Sequence, residues 1–149
     1  MKKIIVGVLL FVSSLGFSQI KVMETVPLIQ VGRVGENGNS NIYIQKEGNE
    51  YKVIYKNIDP EELGSTRFFS FKDLNNDFES FYKLTLNGYN ASPVQDIKLD
   101  MPNEIVWLHY VKSLQNKVTM QFMTTNKVTG ITGTSDFMTP ESIKNLFGK

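Results

Sequence analysis

The chain has 149 residues, with 41% hydrophobic and 21% charged side chains and no cysteine. That length fits one domain, the apolar fraction is too high for a disordered chain, and 16 Lys+Arg against 15 Asp+Glu leave no basic excess of the kind a nucleic-acid surface needs. The lack of cysteine removes disulfides, thiolate metal sites and cysteine nucleophiles, and a single histidine removes most catalytic dyads and imidazole-rich metal sites.

Lys2 and Lys3 precede an apolar run, Ile4–Val12, and the small residues Gly16 and Ser18 follow it. A positive start, a short apolar stretch and small residues at the −3 and −1 positions make up a secretory signal peptide, here cut before Gln19. The run is about half of the roughly 20 residues needed to cross a bilayer, so no membrane span is expected after cleavage. The expected parts are a leader, residues 1–18, and a single globular domain, residues 19–149, in the periplasm or outside the cell. Losing Lys2 and Lys3 takes the net charge from +1 to −1. A chain of that size buries roughly two-thirds of its unfolded surface, enough for a core without disulfides.

Pro27 argues against a central strand near the start, and Leu28–Val34 reads as an edge strand. Gly32, Gly35 and Gly38, with Asn37-Gly38, mark the turn that follows. Ile42–Gln45 and Tyr51–Tyr55 flank a loop containing Gly48-Asn49, the pattern of a β-hairpin, with Tyr51, Val53 and Tyr55 on one face. Asp59-Pro60-Glu61-Glu62-Leu63-Gly64 reads as a solvated connection, and Arg67–Phe71 as an aromatic strand. The period then changes. Leu74, Phe78, Phe81, Tyr82 and Thr85 share one face of a helix, with Asn76 and Glu79 as a capping pair and Gly88 as the stop. Strands are expected over Asp96–Met101, Glu104–Lys112, Lys117–Thr124 and Lys127–Thr134, the first three joined by short turns. Thr139-Pro140-Glu141 starts a short C-terminal helix whose Ile143, Leu146 and Phe147 form an apolar stripe. The fold class is α+β: a largely antiparallel sheet with one central helix and a short C-terminal helix packed on it.

Several constellations suggest chemistry and then fail a requirement for it. Asp73, Asn75 and Asp77 match positions 1, 3 and 5 of an EF-hand loop, but Phe78 and Leu84 stand where glycine and the bidentate glutamate belong. Neither Gly32–Gly38 nor Gly130–Gly133 opens a helix, as a phosphate loop must. No G-x-S-x-G elbow presents a serine to His109, which is expected to be a packed residue with one satisfied nitrogen. No catalytic residue, cofactor or metal ligand is therefore assigned.

Aromatics on strands are the one excess that points to binding, although sheets also need them for their cores. Tyr43, Tyr51, Tyr55 and Trp107, with His109, are the candidate ligand-contacting residues. For Trp107 the competing expectation is a place in the core.

Two stretches carry a resemblance. The leader ending Gly16-Phe17-Ser18-Gln19 resembles export signals of Bacteroidetes-type bacteria. Residues Phe69 to Lys149, with a Phe-Tyr helix, an Ile-Val-Trp-Leu strand and a Thr-Pro-Glu-Ser-Ile-Lys-Asn-Leu-Phe-Gly-Lys tail, are similar to small uncharacterised exported proteins of that group. That resemblance implies export and carries over no functional residue. The expectation is an exported, non-catalytic domain binding either an envelope partner or a small ligand, its partner a protein or a small molecule. The alternative is a small secreted hydrolase acting on envelope polymers.

Overall fold

Period-2 segments dominate the chain, and in the computed structural model they pair into two four-stranded antiparallel sheets rather than the single sheet expected. The structure describes residues 24–35 and 41–149; the leader and its cleavage position lie outside them. The first sheet has the order β1 (Leu28–Val34), β2 (Ile42–Glu47), β3 (Glu50–Lys56), β4 (Thr66–Lys72), followed by helix α1 (Asp77–Gly88). The second has β5 (Ile97–Asp100), β6 (Glu104–Lys112), β7 (Val118–Asn126), β8 (Thr132–Thr134), followed by helix α2 (Pro140–Leu146). The α+β class stands. What local pattern does not reveal is that the two meanders never hydrogen-bond into one sheet.

Each sheet turns one face inward. On β2 and β3 that face carries Ile42, Ile44, Tyr51, Val53 and Tyr55; on β6 and β7 it carries Val106, Leu108, Tyr110, Met120 and Phe122, all buried. Phe69 of β4 meets Phe122 of β7 edge-on, with ring centroids 5.3 Å apart. Phe81 of α1 packs against both rings and against Phe147, which follows α2. One aromatic cluster thus ties both sheets and both helices together.

Helix α1 begins differently from its expected capping pair. Asn76 has a left-handed backbone (φ +62°) and makes no side-chain cap. Asp73 does that work, its Oδ1 accepting the Asp77 N–H at 2.6 Å, while Asp77 Oδ2 accepts from Leu74 N–H at 3.1 Å. Carboxylates bonded to local backbone donors at a helix start are stabilising there, which accounts for the acidic run without a cation.

Helix α2 starts as expected. Thr139 Oγ1 accepts the Ser142 N–H at 3.2 Å and Pro140 occupies the first turn. Its buried residues Ile143 and Leu146, followed by Phe147, face β1 and β2 of the first sheet. Gly32 permits the approach: a Cβ there would stand 2.1 Å from the Asn145 carbonyl oxygen. The glycine read as part of a turn series is therefore a packing glycine inside β1.

Candidate functional site

The connection between β3 and β4 converts one face of the second sheet into a cleft. Asn57 N–H donates to the Ser65 carbonyl at 2.7 Å and Gly64 N–H to the Asn57 carbonyl at 2.8 Å, so the loop closes on itself. Gly64 sits at φ +80°, which a side chain would strain. The loop is also stitched to the edge of β8: Ile58 N–H donates to the Thr134 carbonyl, and Thr134 N–H to Asn57 Oδ1, both at 2.9 Å. An ion pair between Arg67 and Glu62 holds the outer turn, Pro60–Glu62. Together these contacts stand Asp59–Glu62 as a wall beside the sheet.

The floor is the outward face of that sheet. Trp107, Met123 and Thr134 lie in register across β6, β7 and β8, and Ile105, Thr125 and Thr132 form the next row. The enclosed space is about 660 Å³, lined by Asn57 and the acidic wall together with Trp107, Met123, Thr125 and Thr132. Volumes of roughly 300–1,000 Å³ are those of small-molecule sites.

Asn57 is the unusual member. It is 1% exposed. Its Oδ1 accepts from Thr134 N–H at 2.9 Å and Asp59 N–H at 3.2 Å, and two backbone donors on one atom settle which end of the amide is oxygen. The Nδ2 end has no partner among the described residues. A buried donor left unmade costs about 1–3 kcal/mol, a cost the two backbone bonds to Oδ1 offset while fixing the loop. Trp107, half-buried in the floor, has Lys98 Nζ 5.4 Å from its ring centroid. Glu62 is occupied by Arg67, which leaves Asp59 and Glu61 as the wall's carboxylates outside that ion pair.

The five residues singled out by sequence separate. Trp107 lines the cleft and is not a core residue. Alternation along β6 was legible, but both of its faces are apolar, and the inward one carries Val106, Leu108 and Tyr110. His109 lies two residues further along the same outward face, outside the lining, with Nδ1 2.9 Å from Asp96. It is a partly exposed histidine, hydrogen-bonded to Asp96 through Nδ1, rather than a packed one. Tyr43 sits on the outward face of the other sheet, in register with Ile54, itself opposite Phe68. Tyr51 and Tyr55 are core, at 7% and 1% exposure. Tyr51 stacks on Phe78 at 4.1 Å, and the Tyr55 hydroxyl bonds Thr124 Oγ1 at 2.6 Å. Burial lifts the Tyr55 phenol to about 12, against the partly compensating Thr124 hydrogen bond and the Arg67 charge.

Sequence reasoning missed Asn57, Met123, Thr125 and Thr132, and treated the Asp59–Gly64 loop as solvent-exposed. Its polar composition says nothing of a strand edge 77 residues away.

A second groove, of about 730 Å³, lies between β4, α1 and the turn from β5 to β6, lined by Phe71, Phe81, Leu84, Leu99 and Pro102. Two of its acids are engaged: Asp100 pairs with Lys127 at 2.6 Å, and Asp77 accepts from the backbone. Among the described residues no three histidine or acidic side chains gather as a metal site, and no helix is long and apolar enough to cross a membrane. Comparison with protein-family models, with curated proteins and with solved structures finds no match to this chain.

Proposed function

We propose that the chain is an exported, non-catalytic domain that binds a small ligand in the Trp107 cleft. The observation that carries this reading is the cleft itself, about 660 Å³ between the Trp107 floor and a loop wall that the Asn57 hydrogen bonds fix in place. A polar loop wall beside a half-buried aromatic meets the usual description of a binding site: apolar area for affinity, a few fixed polar groups for orientation. The signal-peptide layout of residues 1–18 supports export, and the ligand is then a molecule of the envelope or the medium.

A fragment screen by amide NMR on the chain from Gln19 to Lys149 tests the site. Shifts gathered on the Asn57 side-chain amide, the Trp107 indole N–H and Thr125 support it. Shifts gathered instead on Phe71, Leu84 and Leu99 would move the site to the apolar groove. Release of products from any fragment would favour the hydrolase alternative. Intact-mass measurement of the protein from its native host tests export: an N-terminus at Gln19 is expected, and a dominant full-length species overturns it.

A further inference from the structure

We infer that the free edge of β4 takes an added strand: an extended apolar peptide with a basic flank, laid in the groove between β4, α1 and the turn from β5 to β6. This site is separate from the Trp107 cleft and does not depend on it.

Strand β4 is an edge of its sheet, paired on one side only, with β3. Asp73 N–H donates to the Asn49 carbonyl at 2.8 Å across that pair, so alternation turns the backbone groups of Arg67, Phe69 and Phe71 toward β3. The N–H and C=O groups of Phe68, Ser70 and Lys72 therefore point away from the sheet. They have no partner among the described residues. Such a row is a template for another strand, and proteins commonly block it. The other three edges are blocked. β1 follows Pro27 and breaks register between Gln30 and Gly32. β5 has four residues, and β8 has three and is stitched to the Asn57 loop. β4 runs for seven residues in unbroken register.

The groove beside this edge adds what a bare edge lacks. It encloses about 730 Å³, lined by Phe71, Phe81, Leu84 and Leu99. From Phe68 to Lys72 the edge runs roughly 13 Å, the length of a short extended segment. In strand addition the main-chain bonds give affinity, and alternate side chains enter pockets. An extended apolar peptide uses both features, whereas a lipid tail covers the lining and leaves the edge to water. With Asp100 held by Lys127, Glu50 and Asp77 outnumber Lys72 at the rim, which favours a basic flank over an acidic one.

Hydrogen exchange by amide NMR on the chain from Gln19 to Lys149 reads the edge directly. The probes are two capped peptides, Lys-Val-Thr-Val-Thr-Val-Lys and Lys-Phe-Thr-Phe-Thr-Phe-Lys. The valine peptide is also made with every internal amide N-methylated, and with glutamate at both ends; decanoate is the lipid probe. At least one lysine-ended peptide should slow exchange saturably at the Phe68, Ser70 and Lys72 N–H groups. The Phe69 and Phe71 N–H groups, already bonded to β3, should not change. N-methylation should weaken binding at least about tenfold, and the glutamate-ended peptide should bind more weakly than its lysine-ended parent. Ser70→Pro removes an outward N–H without costing a bond to β3, and should weaken binding by a similar factor. If that variant unfolds, the N-methylated peptide tests the same contacts on the unaltered protein. Equal binding of the N-methylated peptide, silence from both lysine-ended peptides, or shifts at the groove with decanoate alone overturns strand addition. Equal or tighter binding of the glutamate-ended peptide overturns the basic flank. Slowed exchange at the edge without peptide, in a species of twice the mass by sedimentation, assigns the edge to a second copy and overturns the peptide. Shifts at Trp107 and Thr125 report on the cleft and change none of these outcomes.

Discussion

Tyr55 and Tyr43 are both strand tyrosines in the same sheet, and their surroundings assign them opposite costs. The Tyr55 hydroxyl is 2.6 Å from Thr124 Oγ1, across the gap between β3 and β7, and both residues are buried. Tyr55→Phe leaves Thr124 without that partner, so a loss of about 1–3 kcal/mol is expected. Tyr43 faces outward and is half-buried, and Tyr43→Phe should stay within about 0.5 kcal/mol of the parent. Urea denaturation of the two variants side by side measures the contrast, and equal effects would remove the inter-sheet hydrogen bond from the account. Trp107 gives the complementary test. A buried tryptophan costs about 3–5 kcal/mol on truncation to alanine; this one is only half-buried and lines a cleft. Trp107→Ala should therefore lose less than that range in urea denaturation while abolishing fragment-induced NMR shifts at Thr125.

At the scale of elements, the strands were largely legible because period-2 alternation is a local property. The expected Leu28–Val34 strand coincides with β1, and the expected Ile42–Gln45 and Tyr51–Tyr55 hairpin falls within β2 and β3. The expected strand over Lys127–Thr134 shrinks to Thr132–Thr134 because Asn126 intervenes. Its Oδ1 accepts from Val128 N–H at 3.0 Å and Thr129 N–H at 2.9 Å, a side-chain turn that competes with the ladder. The division into two sheets and the wall of the cleft both depend on contacts remote in sequence, and no local period encodes those. Helix α2 shows the same division between local and remote information. Its start is written in Thr139 and Pro140, but its seat on β1 depends on Gly32. A helix of seven residues has little stability by itself, so docking must hold it. Leu146, with no exposed area, should lose about 2–5 kcal/mol as Leu146→Ala. Gly32→Ala should destabilise by displacing the Asn145 carbonyl. Calorimetric midpoints unchanged in both would detach α2 from the folded core.

Three phenols link this local packing to the stability of the molecule as a whole. Tyr55 bonds Thr124, Tyr89 donates to the Met138 carbonyl at 2.9 Å, and Tyr110 donates to the Thr85 carbonyl at 2.7 Å. Each bond joins segments that are not neighbours in sequence, and all three tyrosines are buried. Burial is the leading cause that raises each phenol above the ordinary value near 10. Tyr55 reaches about 12, and Tyr89 is pushed up further by its neighbour Tyr110. For an acid raised in the folded state, the native protein keeps protons that the unfolded chain releases. Stability is therefore full below pH 10 and falls as pH rises through the folded values. Each phenol contributes a slope of up to about 1.4 kcal/mol per pH unit, so three together approach about 4. Against a typical total of about 5–15 kcal/mol, that slope predicts cooperative alkaline unfolding beginning above about pH 10. The phenolate absorbance of three of the six tyrosines should appear together with the loss of far-ultraviolet circular dichroism, not ahead of it. Tyr110→Phe removes one proton from the linkage and should reduce the pH slope of stability by about a third, despite lowering stability at neutral pH. An unchanged slope in that variant, or all six phenols ionising while the dichroism persists, would show that these hydroxyls do not hold the two sheets and their helices together.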